Sequence, residues 1–343
     1  MVHLITGGSG FLGSNLAHYL HSRGEKVRLI DIVEPLDYPE TIDFLRCNIL
    51  DREAVRRAMQ GVDYVYHCAA LVPVSKSGAD FYKINIEGTK IATELAYEAG
   101  VKMFVYISSS AVFAGSLDRC PLREDTPSNP IEIYGYSKRA AEECVLKAQK
   151  RGLSSTIIRP RCILGRGRLG VLHMLFDWIY GAKKVYMLGD GNQLFQLIHV
   201  DDVVKACILC TEREKVGIYN IGTDRYSTLR EDLTSLIRYA GTDSRIARLP
   251  VTVTVPILRT LDLLHLSPLA SFHYHTYGKP FYFDISKAIN ELSWKPKYSN
   301  TQMLVESYDW FVTNYDRMKA NRIYSSNLAP VKQGILKLVK MIS

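Results

Sequence analysis

Residues 7–13 read GGSGFLG, and this glycine-rich turn decides the fold. The apolar, β-branched run VHLIT comes directly before it and is typical of a buried strand. The amphipathic stretch FLGSNLAHYLHSRG follows and is typical of a helix that rests on a core. The turn therefore predicts a strand–turn–helix unit at the start of the chain.

The same alternation of strand and helix patterns continues through the first half of the chain. The strand patterns are nearly continuous apolar runs, which favours a parallel sheet with helices on both faces. Gly24 and Gly100 each end a helical stretch just before a strand, where a left-handed C-cap is expected. We therefore predict an α/β fold, a doubly wound parallel sheet of the Rossmann type. The strand patterns after the turn are KVRLID, YVYHCAA, MFVYISS, STIIRP and IYNIG.

The glycines of the turn suit a dinucleotide. Gly7 permits the tight turn, Gly10 lets backbone N–H groups approach a pyrophosphate, and Gly13 allows the helix to pack closely on the strand. Asp31 ends the second strand about twenty residues later, as a dinucleotide-binding fingerprint requires. The candidate cofactor residues of the turn are Gly7, Gly10, Phe11, Leu12 and Gly13.

Asp31 predicts which dinucleotide is bound. Its carboxylate can accept hydrogen bonds from the two hydroxyls of the adenosine ribose, whereas a 2′-phosphate would meet its negative charge. Residues 32–34, Ile-Val-Glu, supply no arginine to hold that phosphate. We therefore expect NAD rather than NADP.

The second half of the chain predicts a smaller, interleaved C-terminal substrate domain. We expect residues 1–164 to form the NAD-binding Rossmann domain, completed by about 195–222, because strand and helix patterns resume there. Residues 165–194 and 223–320 do not fit the sheet and are assigned to the substrate domain. Residues 321–343 are a basic, amphipathic tail, which would either lie weakly on an anionic membrane surface or cap the protein.

Composition and charge limit the class of protein. The 343 residues are 47% hydrophobic and 23% charged, which is typical of a globular protein. The net charge of +8 suits an anionic partner, but no Lys/Arg block or zinc-finger spacing predicts nucleic-acid binding. A phosphate-bearing small molecule remains compatible with this charge.

The cysteines and the N-terminus predict a location. The seven cysteines are irregularly spaced, which is unlike a secreted disulfide framework, and Cys207 with Cys210 lies in an apolar helical pattern that predicts buried packing. We assign no metal. The start MVHLITGG is unlike a signal peptide, and no run is long and apolar enough for a membrane span. We expect a cytoplasmic protein.

Tyr134 and Lys138 form the candidate catalytic pair. They open a helical stretch, YGYSK, and their i, i+4 spacing puts the phenol and the ammonium on one helix face. A free tyrosine has a pKa near 10, so a neighbouring cation that favours the phenolate is the adjustment that proton transfer at neutral pH requires. We expect Lys138 to be that cation.

These motifs together resemble the extended short-chain dehydrogenase/reductase family, which holds nucleotide-sugar epimerases, dehydratases, reductases and 3β-hydroxysteroid dehydrogenases. The resemblance spans nearly the whole chain and implies an NAD-dependent oxidoreductase. Besides the turn, Asp31 and the Tyr-Lys pair, it rests on Asn48-Ile49, HCAAL at 67–71, Asn85, SSSAVF at 108–113, Arg159-Pro160, HVDDV at 199–203 and LSWKP at 292–296.

The resemblance also implies roles for individual residues. Tyr134 would exchange a proton with a substrate hydroxyl, and Lys138 would also hold the nicotinamide ribose. The second serine of the family's S-S-x-x-V-Y motif, which polarises the substrate oxygen, is Ser109, with Ser110 as the alternative. The further cofactor-binding residues that it implies are Asn48, Ile49, Ala69, Ala70, Asn85, Ser108 and Pro160.

Other polar and aromatic residues near these motifs have structural explanations. His67 and His199 lie in or beside apolar strands and are expected to be buried with satisfied ring nitrogens. Asp201 and Asp202 precede a helical run and are expected to supply its cap and first-turn charge. Trp294 is expected to pack in the core.

The two residues after the catalytic serine narrow the reaction type. Dehydratases of the family carry an acid/base pair there, usually Asp-Glu, whereas this chain has Ser110-Ala111. An epimerase needs only reversible oxidation, for which the residues present suffice. We therefore expect a nucleotide-sugar epimerase.

A 3β-hydroxysteroid dehydrogenase-like alcohol dehydrogenase is the alternative. Many nucleotide-sugar enzymes have a diphosphate-binding arginine in the strand before HVDDV, but Phe195 stands near that position here. The second arginine is missing from the stretch GKPFYFD at 278–284 as well, although the GDGNQ turn at 189–193 is common in the sugar branch. A displaced phosphate clamp could come from Arg161, Arg166 and Arg168.

Two further expectations concern the whole protein. The family resemblance implies a homodimer, formed through the helix that carries Tyr134 and the one from about Tyr82. A non-catalytic NAD-sensing protein is a third hypothesis, which the Ser109, Tyr134 and Lys138 set disfavours because a pure binder does not need a tuned phenol.

Overall fold

The structure is a computed structural model. It describes residues 1–35, 38–39, 41–73, 77–168, 170, 172–264 and 271–319. The predicted basic tail at 321–343 lies outside the described residues.

The described chain alternates strands and helices. The strands are β1 (Val2–Thr6), β2 (Lys26–Asp31), β3 (Asp43–Arg46), β4 (Tyr64–His67), β5 (Met103–Ile107), β6 (Ser155–Pro160), β7 (Cys162–Leu164), β8 (Val185–Leu188), β9 (Leu197–His199), β10 (Gly217–Ile221) and β11 (Ile246–Leu249). The α-helices are α1 (Phe11–Ser22), α2 (Arg52–Ala58), α3 (Gly88–Glu98), α4 (Ile133–Lys150), α5 (Leu172–Tyr180), α6 (Val200–Glu212), α7 (Leu229–Ala240), α8 (Val251–Leu263), α9 (Ser271–Thr276), α10 (Ser286–Leu292), α11 (Asn300–Thr313) and α12 (Tyr315–Lys319).

The central sheet has seven strands in the order β10-β6-β5-β4-β1-β2-β3, all parallel. All residues of β5 and β6 are buried, as expected of parallel strands covered on both faces. Strand β5 is a continuous apolar run, whereas β6 also buries Ser155, Thr156 and Arg159. The order reverses beside β1, so the first and fourth strands leave a crevice at their carboxyl ends, where such sheets bind ligands. The predicted fold class is confirmed.

Helices cover both faces of the sheet. On one face α1 packs against α6, and their apolar side chains belong to the larger core cluster. On the other face α2, α3 and α4 pack side by side over a second cluster. The helix periodicity of each amphipathic stretch thus buries its apolar face against the sheet.

Two helix C-caps agree with the sequence prediction, and the N-cap of α6 differs from it. Gly24 and Gly100 have φ of 74° and 67°, as the C-cap prediction requires. The prediction that Asp201 or Asp202 caps α6 is wrong, because the side chain of His199 accepts the Asp201 N–H and is the N-cap. The Asp202 carboxylate instead accepts the backbone N–H groups of the segment after Trp294, which pins that segment to α6.

The two segments assigned to the substrate domain meet at a small parallel sheet. Strand β8, from the 165–194 segment, pairs with β11, from the 223–320 segment. Strand β7 pairs separately with β9 and leads the chain out of the main sheet directly after β6. The polypeptide therefore crosses between the two regions more than once.

Helix α6 carries the cysteine pair that the sequence predicts to be buried. Cys207 and Cys210 have no exposed surface and pack in the core. All seven cysteines are free. No helix of the described ranges combines the length and the apolar character that crossing a membrane requires.

Candidate active site

The glycine turn lies at the carboxyl end of β1. Gly7 has φ of 67°, a left-handed conformation, and a Cβ added there would lie 2.7 Å from the backbone nitrogen of Ala69. A Cβ on Gly13 would lie 2.2 Å from the Gly7 carbonyl oxygen. The sequence interpretation of these two glycines, a tight turn and a close helix–strand approach, therefore matches the geometry.

The start of α1 fits a dinucleotide phosphate. Helix α1 begins at Phe11, and its N-cap Gly10 offers no side chain to accept the first helical N–H groups. These N–H groups have no partner within a helix and carry the positive end of its dipole, so they suit an anion. A side chain at Gly10 would point toward the Gly7 carbonyl at 3.0 Å and crowd this surface.

Asp31 lies beside the turn, at the end of β2. Its carboxylate accepts the Ser9 N–H at 3.1 Å and the Val33 N–H at 3.2 Å. A carboxylate has about four lone-pair sites, so acceptor capacity remains for ribose hydroxyls. Tyr38, which the sequence analysis missed, donates to the Gly8 carbonyl at 3.0 Å and closes over the turn.

Asn85 braces the loop that follows β4. Its carboxamide accepts the Leu71 N–H at 2.8 Å, donates to the Leu71 carbonyl, and donates to the Ser137 hydroxyl at 2.9 Å. The side chain is buried, so these bonds tie the loop at Ala69 and Ala70 to α4, beside Lys138. Asn85 therefore holds the loop rather than presenting a free amide.

The remaining predicted cofactor residues differ in exposure. Asn48 is exposed, and its side chain accepts the Leu50 N–H at 3.0 Å. Ile49 is buried against Gly88 of α3, where an added Cβ would lie 2.8 Å from it. Pro160 ends β6 at the carboxyl edge of the sheet.

Tyr134 and Ser109 meet in the crevice. Ser109 caps the short 3₁₀ turn at Ser110–Phe113, where its hydroxyl accepts the Ala111 N–H at 3.1 Å, and its side chain lies close enough to Tyr134 to lower the pKa of the phenol. The Tyr134 ring is 7% exposed and packs edge-on against Phe81 at 6.0 Å. Burial raises the pKa of Tyr134 to about 12, while the Ser109 hydrogen bond and Arg168 lower it and Glu132 raises it further.

The expected tuning of Tyr134 by Lys138 does not match the geometry. The Lys138 ammonium donates to the Ile107 carbonyl at 2.8 Å and lies over the Tyr106 ring at 5.0 Å. Burial lowers the pKa of Lys138 to about 8, with Cys68 and Glu142 opposing the shift. The cation that lowers the Tyr134 pKa is Arg168. Desolvation of the phenol outweighs it.

Two acidic residues that the sequence analysis missed hold this constellation together. Glu132 is the N-cap of α4, and its carboxylate accepts the N–H groups of Tyr134 and Gly135. Glu142 is buried and forms a bidentate ion pair with Arg159 at 2.7 and 2.8 Å. It also accepts the Ser108 hydroxyl at 2.6 Å, so Ser108 is committed to this network. For Glu132 the sequence offers a weak signal, because a glutamate two residues before the Tyr-Lys motif is placed to cap the helix that the motif opens.

The three candidate arginines of the phosphate clamp lie in different environments. Arg166 is exposed and pairs with Glu306 at 3.0 Å, so its guanidinium is engaged at the surface. Arg168 lies over the Phe11 ring at 5.5 Å. Arg161 is 3% exposed and donates to the Ser110 hydroxyl at 2.9 Å. Arg161 and Arg168 therefore flank the site, and Arg166 does not.

His67, His199 and Trp294 are buried and bonded as expected. His67 bonds to Thr6 and Thr89 at 2.7 and 3.0 Å. His199 bonds to Glu306 at 2.6 Å, and Trp294 donates to the Asp202 carbonyl. These side chains support the fold around the crevice.

The arrangement has the parts needed to move a proton at a carbinol oxygen. A phenol, a serine hydroxyl and the positive end of a helix face one crevice at the carboxyl edge of a parallel sheet. A phenol exchanges a proton with an alcohol while a bound dinucleotide exchanges hydride with the carbon. Such a site suits alcohol–ketone chemistry.

Similar proteins include enzymes of this chemistry. "Uncharacterized protein y4nG" of Sinorhizobium fredii (strain NBRC 101917 / NGR234) is 41% identical over 337 residues, which are 98% of this chain and 85% of that protein. The decarboxylating sterol-4-alpha-carboxylate 3-dehydrogenase of Mus musculus is 33% identical over 212 residues, 61% of this chain and 58% of the mouse enzyme.

A solved structure is similar over most of the chain. The UDP-glucose 4-epimerase of the hyperthermophilic eubacterium Thermotoga maritima, solved with UDP-glucose, has a TM-score of 0.77 at 26% identity. The similarity covers 92% of this chain and 100% of that one. The shared architecture includes the sheet and helices that carry the crevice.

The family assignment rests on a match to more than half of the chain. The model of the NAD dependent epimerase/dehydratase family matches residues 3–222, which contain the glycine turn, Asp31, Tyr134 and Lys138. This match confirms the predicted family resemblance, the oxidoreductase class and NAD as the cofactor. The chain belongs to the NAD dependent epimerase/dehydratase family.

Proposed function

We propose that this enzyme interconverts a secondary alcohol and a ketone on a largely apolar molecule, as an NAD-dependent dehydrogenase or ketoreductase. The observation that carries the proposal is Phe195, which stands near the position where many nucleotide-sugar enzymes of this type have a diphosphate-binding arginine. Phe195 is buried and packs edge-on against Tyr277 at 5.8 Å. The Phe195 side chain itself offers an apolar contact and no charge for a diphosphate; the cation near it, Arg161, lies over its ring and comes from the segment between β6 and β7.

The proposed chemistry uses the Ser109–Tyr134 pair. NAD, when bound, supplies the acceptor for hydride in the oxidation direction and the donor in reduction. Tyr134 takes the hydroxyl proton during oxidation and returns it during reduction. Ser109, which lies beside Tyr134, donates to the substrate oxygen and orients it. Lys138 is proposed to contact the nicotinamide ribose from one helical turn away.

The predicted cofactor residues divide into contacts and braces. We infer that the turn residues Gly7, Gly10, Phe11, Leu12 and Gly13, together with Asp31, Asn48, Ala69, Ala70 and Pro160, line the NAD site. Asn85, Ser108 and Ile49 act through their neighbours, since their polar groups are committed or their side chains are buried.

The similarity to the mouse enzyme supports an apolar substrate. That enzyme acts, by its name, on a sterol, although the similarity covers less than two thirds of its length. We extend only the chemistry of a secondary alcohol on an apolar skeleton to this chain.

Nucleotide-sugar epimerisation is the second candidate. The similarity to the Thermotoga maritima epimerase over 92% of this chain favours it, as does the GDGNQ turn at 189–193. Arg161, over the Phe195 ring, or Arg168, beside Tyr134 and Phe11, would then have to supply the phosphate contact that Phe195 lacks.

The cellular location, the oligomeric state and the domain boundaries are proposed from the sequence. We propose a cytoplasmic location, because the seven free cysteines suit a reducing compartment. We propose a homodimer because the family resemblance implies one. The substrate domain is proposed to comprise residues 165–194 and 223–320, and the Rossmann domain residues 1–164 with 195–222.

A turnover assay tests the proposal. Purified protein and NAD are incubated with a neutral 3β-hydroxysteroid, a long-chain secondary alcohol and UDP-glucose, with NADH formation and sugar epimerisation both measured. We expect NADH only with the apolar alcohols and none with Tyr134→Phe, which should still bind NAD. Epimerised sugar without NADH would overturn the proposal in favour of the second candidate, and NAD binding without any turnover would favour the sensor hypothesis.

A further inference from the structure

A buried cation, Arg161, contacts Ser110, the residue after Ser109, and is not used by the proposed reaction. The Arg161 guanidinium stacks on the Phe281 ring at 3.5 Å, with Phe195 at 5.1 Å and Phe283 at 5.8 Å. These three phenylalanines, here called the aromatic box, are themselves buried. Burial lowers the pKa of Arg161 to about 10, so it stays a cation at neutral pH.

The guanidinium keeps an unused face. Its Nη1 donates to the Ser110 hydroxyl at 2.9 Å. Its Nε and Nη2 atoms are buried and have no acceptor among the described residues. Among the described residues, no carboxylate forms an ion pair with Arg161. In a guanidinium, Nε–H and Nη2–H point the same way and form the donor pair that grips two oxygens of one oxyanion.

Leaving the buried charge of Arg161 without a counter-charge costs free energy. The neighbouring buried arginine, Arg159, has a counter-charge. Arg159, two residues earlier, has a bidentate carboxylate partner in Glu142. The rings of the aromatic box offset part of the desolvation of Arg161 but satisfy none of its N–H donors. A charge in this state is best explained by an anionic partner that is not part of the chain.

The location of Arg161 indicates which part of a ligand would meet it. Ser110 follows Ser109, whose side chain lies close enough to Tyr134 to lower the pKa of the phenol. Cys162, the residue after Arg161, is exposed, so this segment borders open space. Desolvation raises the Cys162 pKa, and Arg161 and Arg168, which both lie near it, oppose that shift. A group that reaches Arg161 past Ser110 would be attached close to the carbon that carries the reacting hydroxyl.

We propose that Arg161 is a specificity-determining residue that binds an oxyanion, a carboxylate or a phosphate ester, carried next to the reacting carbinol carbon of the substrate. This inference rests on the proposed function for the identity of that carbon. It narrows the substrate class from apolar alcohols to apolar alcohols with a neighbouring acid group.

Matched ligands test the inference. The affinities of wild-type protein with NAD are measured for 3-hydroxydodecanoate, its neutral methyl ester and 2-hydroxydodecyl phosphate, by calorimetry and thermal shift. The same ligands are measured with Arg161→Met, which keeps the length but removes the charge, and with Arg161→Lys. Arg166→Met is the control, because Arg166 lies five residues away and is engaged by Glu306 at the surface.

We expect the wild type to bind one of the two anions at least about tenfold more tightly than the ester, the range of one charge-assisted hydrogen-bonded pair. Which anion is preferred identifies the source of the oxyanion. Arg161→Met should lose that preference with little change for the ester, Arg161→Lys should retain part of it, and Arg166→Met should retain all of it.

The outcomes separate this inference from the proposed function. Absence of an anion preference in the wild type, or its persistence in Arg161→Met, overturns the role of Arg161 even if the ester is oxidised. If the preference depends on Arg161 but no ligand yields NADH, the oxyanion site stands and the proposed reaction is wrong. If none of the ligands binds, the inference is overturned.

Discussion

At the scale of single residues, Tyr134 is governed more by burial than by charge. Its pKa is raised to about 12, chiefly because the phenolate would be desolvated, and Glu132 adds to the shift. Arg168 and the Ser109 hydrogen bond act in the opposite direction and do not compensate. The protonated phenol is therefore the dominant form at neutral pH, which suits donation to a ketone.

This protonation state predicts an asymmetric pH dependence. Alcohol oxidation needs the phenolate, whose population rises about tenfold per pH unit below the pKa, so kcat for oxidation should climb from about pH 6 to about pH 9. Ketone reduction needs the phenol and should be nearly flat over that range. The measurement is kcat against pH in both directions on one substrate pair. Glu132→Gln removes a charge that raises the Tyr134 pKa, so in this variant the rise of kcat for oxidation with pH should shift to lower pH. A wild-type oxidation rate that is already flat at neutral pH would contradict this interpretation.

At the scale of elements, α4 is held at the site by bonds from its first turn and from its middle. Glu132 caps its first turn, at Tyr134, and Glu142 links its middle to Arg159 on β6 and to Ser108 after β5. These contacts fix the helix that carries the phenol relative to the segment that carries Ser109. The distance between phenol and serine thus depends on a buried ion pair outside the reacting groups.

Breaking that ion pair should cost both stability and rate. Glu142→Gln leaves Arg159 buried without its counter-charge, so we expect a loss of about 3 kcal/mol in the free energy of unfolding. The kcat should also fall, because Ser109 loses its fixed position. Urea denaturation and steady-state kinetics measure the two effects. The matched control is Glu143→Gln, the next residue, which forms an exposed i, i+4 pair with Arg139 and should cost less than about 1 kcal/mol. Equal losses of unfolding free energy and of kcat in Glu142→Gln and Glu143→Gln would contradict a stabilising role for the buried ion pair.

At the scale of the whole molecule, one layer of helices leaves aromatic side chains exposed. Tyr82, in the turn before α3, and Tyr97, on α3, are 46% and 43% exposed, and Tyr136 of α4 is 52% exposed. This layer is where the family resemblance predicts a dimer. An isologous contact between two copies would bury these side chains in pairs across a two-fold axis.

Sedimentation velocity checks the dimer directly. We expect a particle of twice the 38.8 kDa chain mass, and a shift toward the monomer for Tyr82→Glu combined with Tyr136→Glu, because paired carboxylates would be buried without partners. Val216→Glu, at an exposed position before β10, serves as the control and should leave the mass unchanged. A monomeric wild type would refute the proposed assembly.

The sequence by itself determined the features that depend on neighbouring residues. Apolar periodicity predicted six of the seven strands of the main sheet, and the glycine spacing predicted the turn after the first of them. The periodicity missed β3, whose residues are mostly exposed and carry no apolar run. Asp31 and the Tyr-Lys spacing predicted a cofactor and catalytic site, which stays a prediction. Only the tertiary structure decided which side chains meet across long separations in the chain. Arg161 and Ser110 are 51 residues apart, and Asn85 reaches Ser137 over 52 residues, so no local period reports either contact. For the same reason helix spacing alone favoured Lys138 as the cation for Tyr134, whereas its ammonium donates to the Ile107 carbonyl of another element, and the cation that lowers the Tyr134 pKa is Arg168.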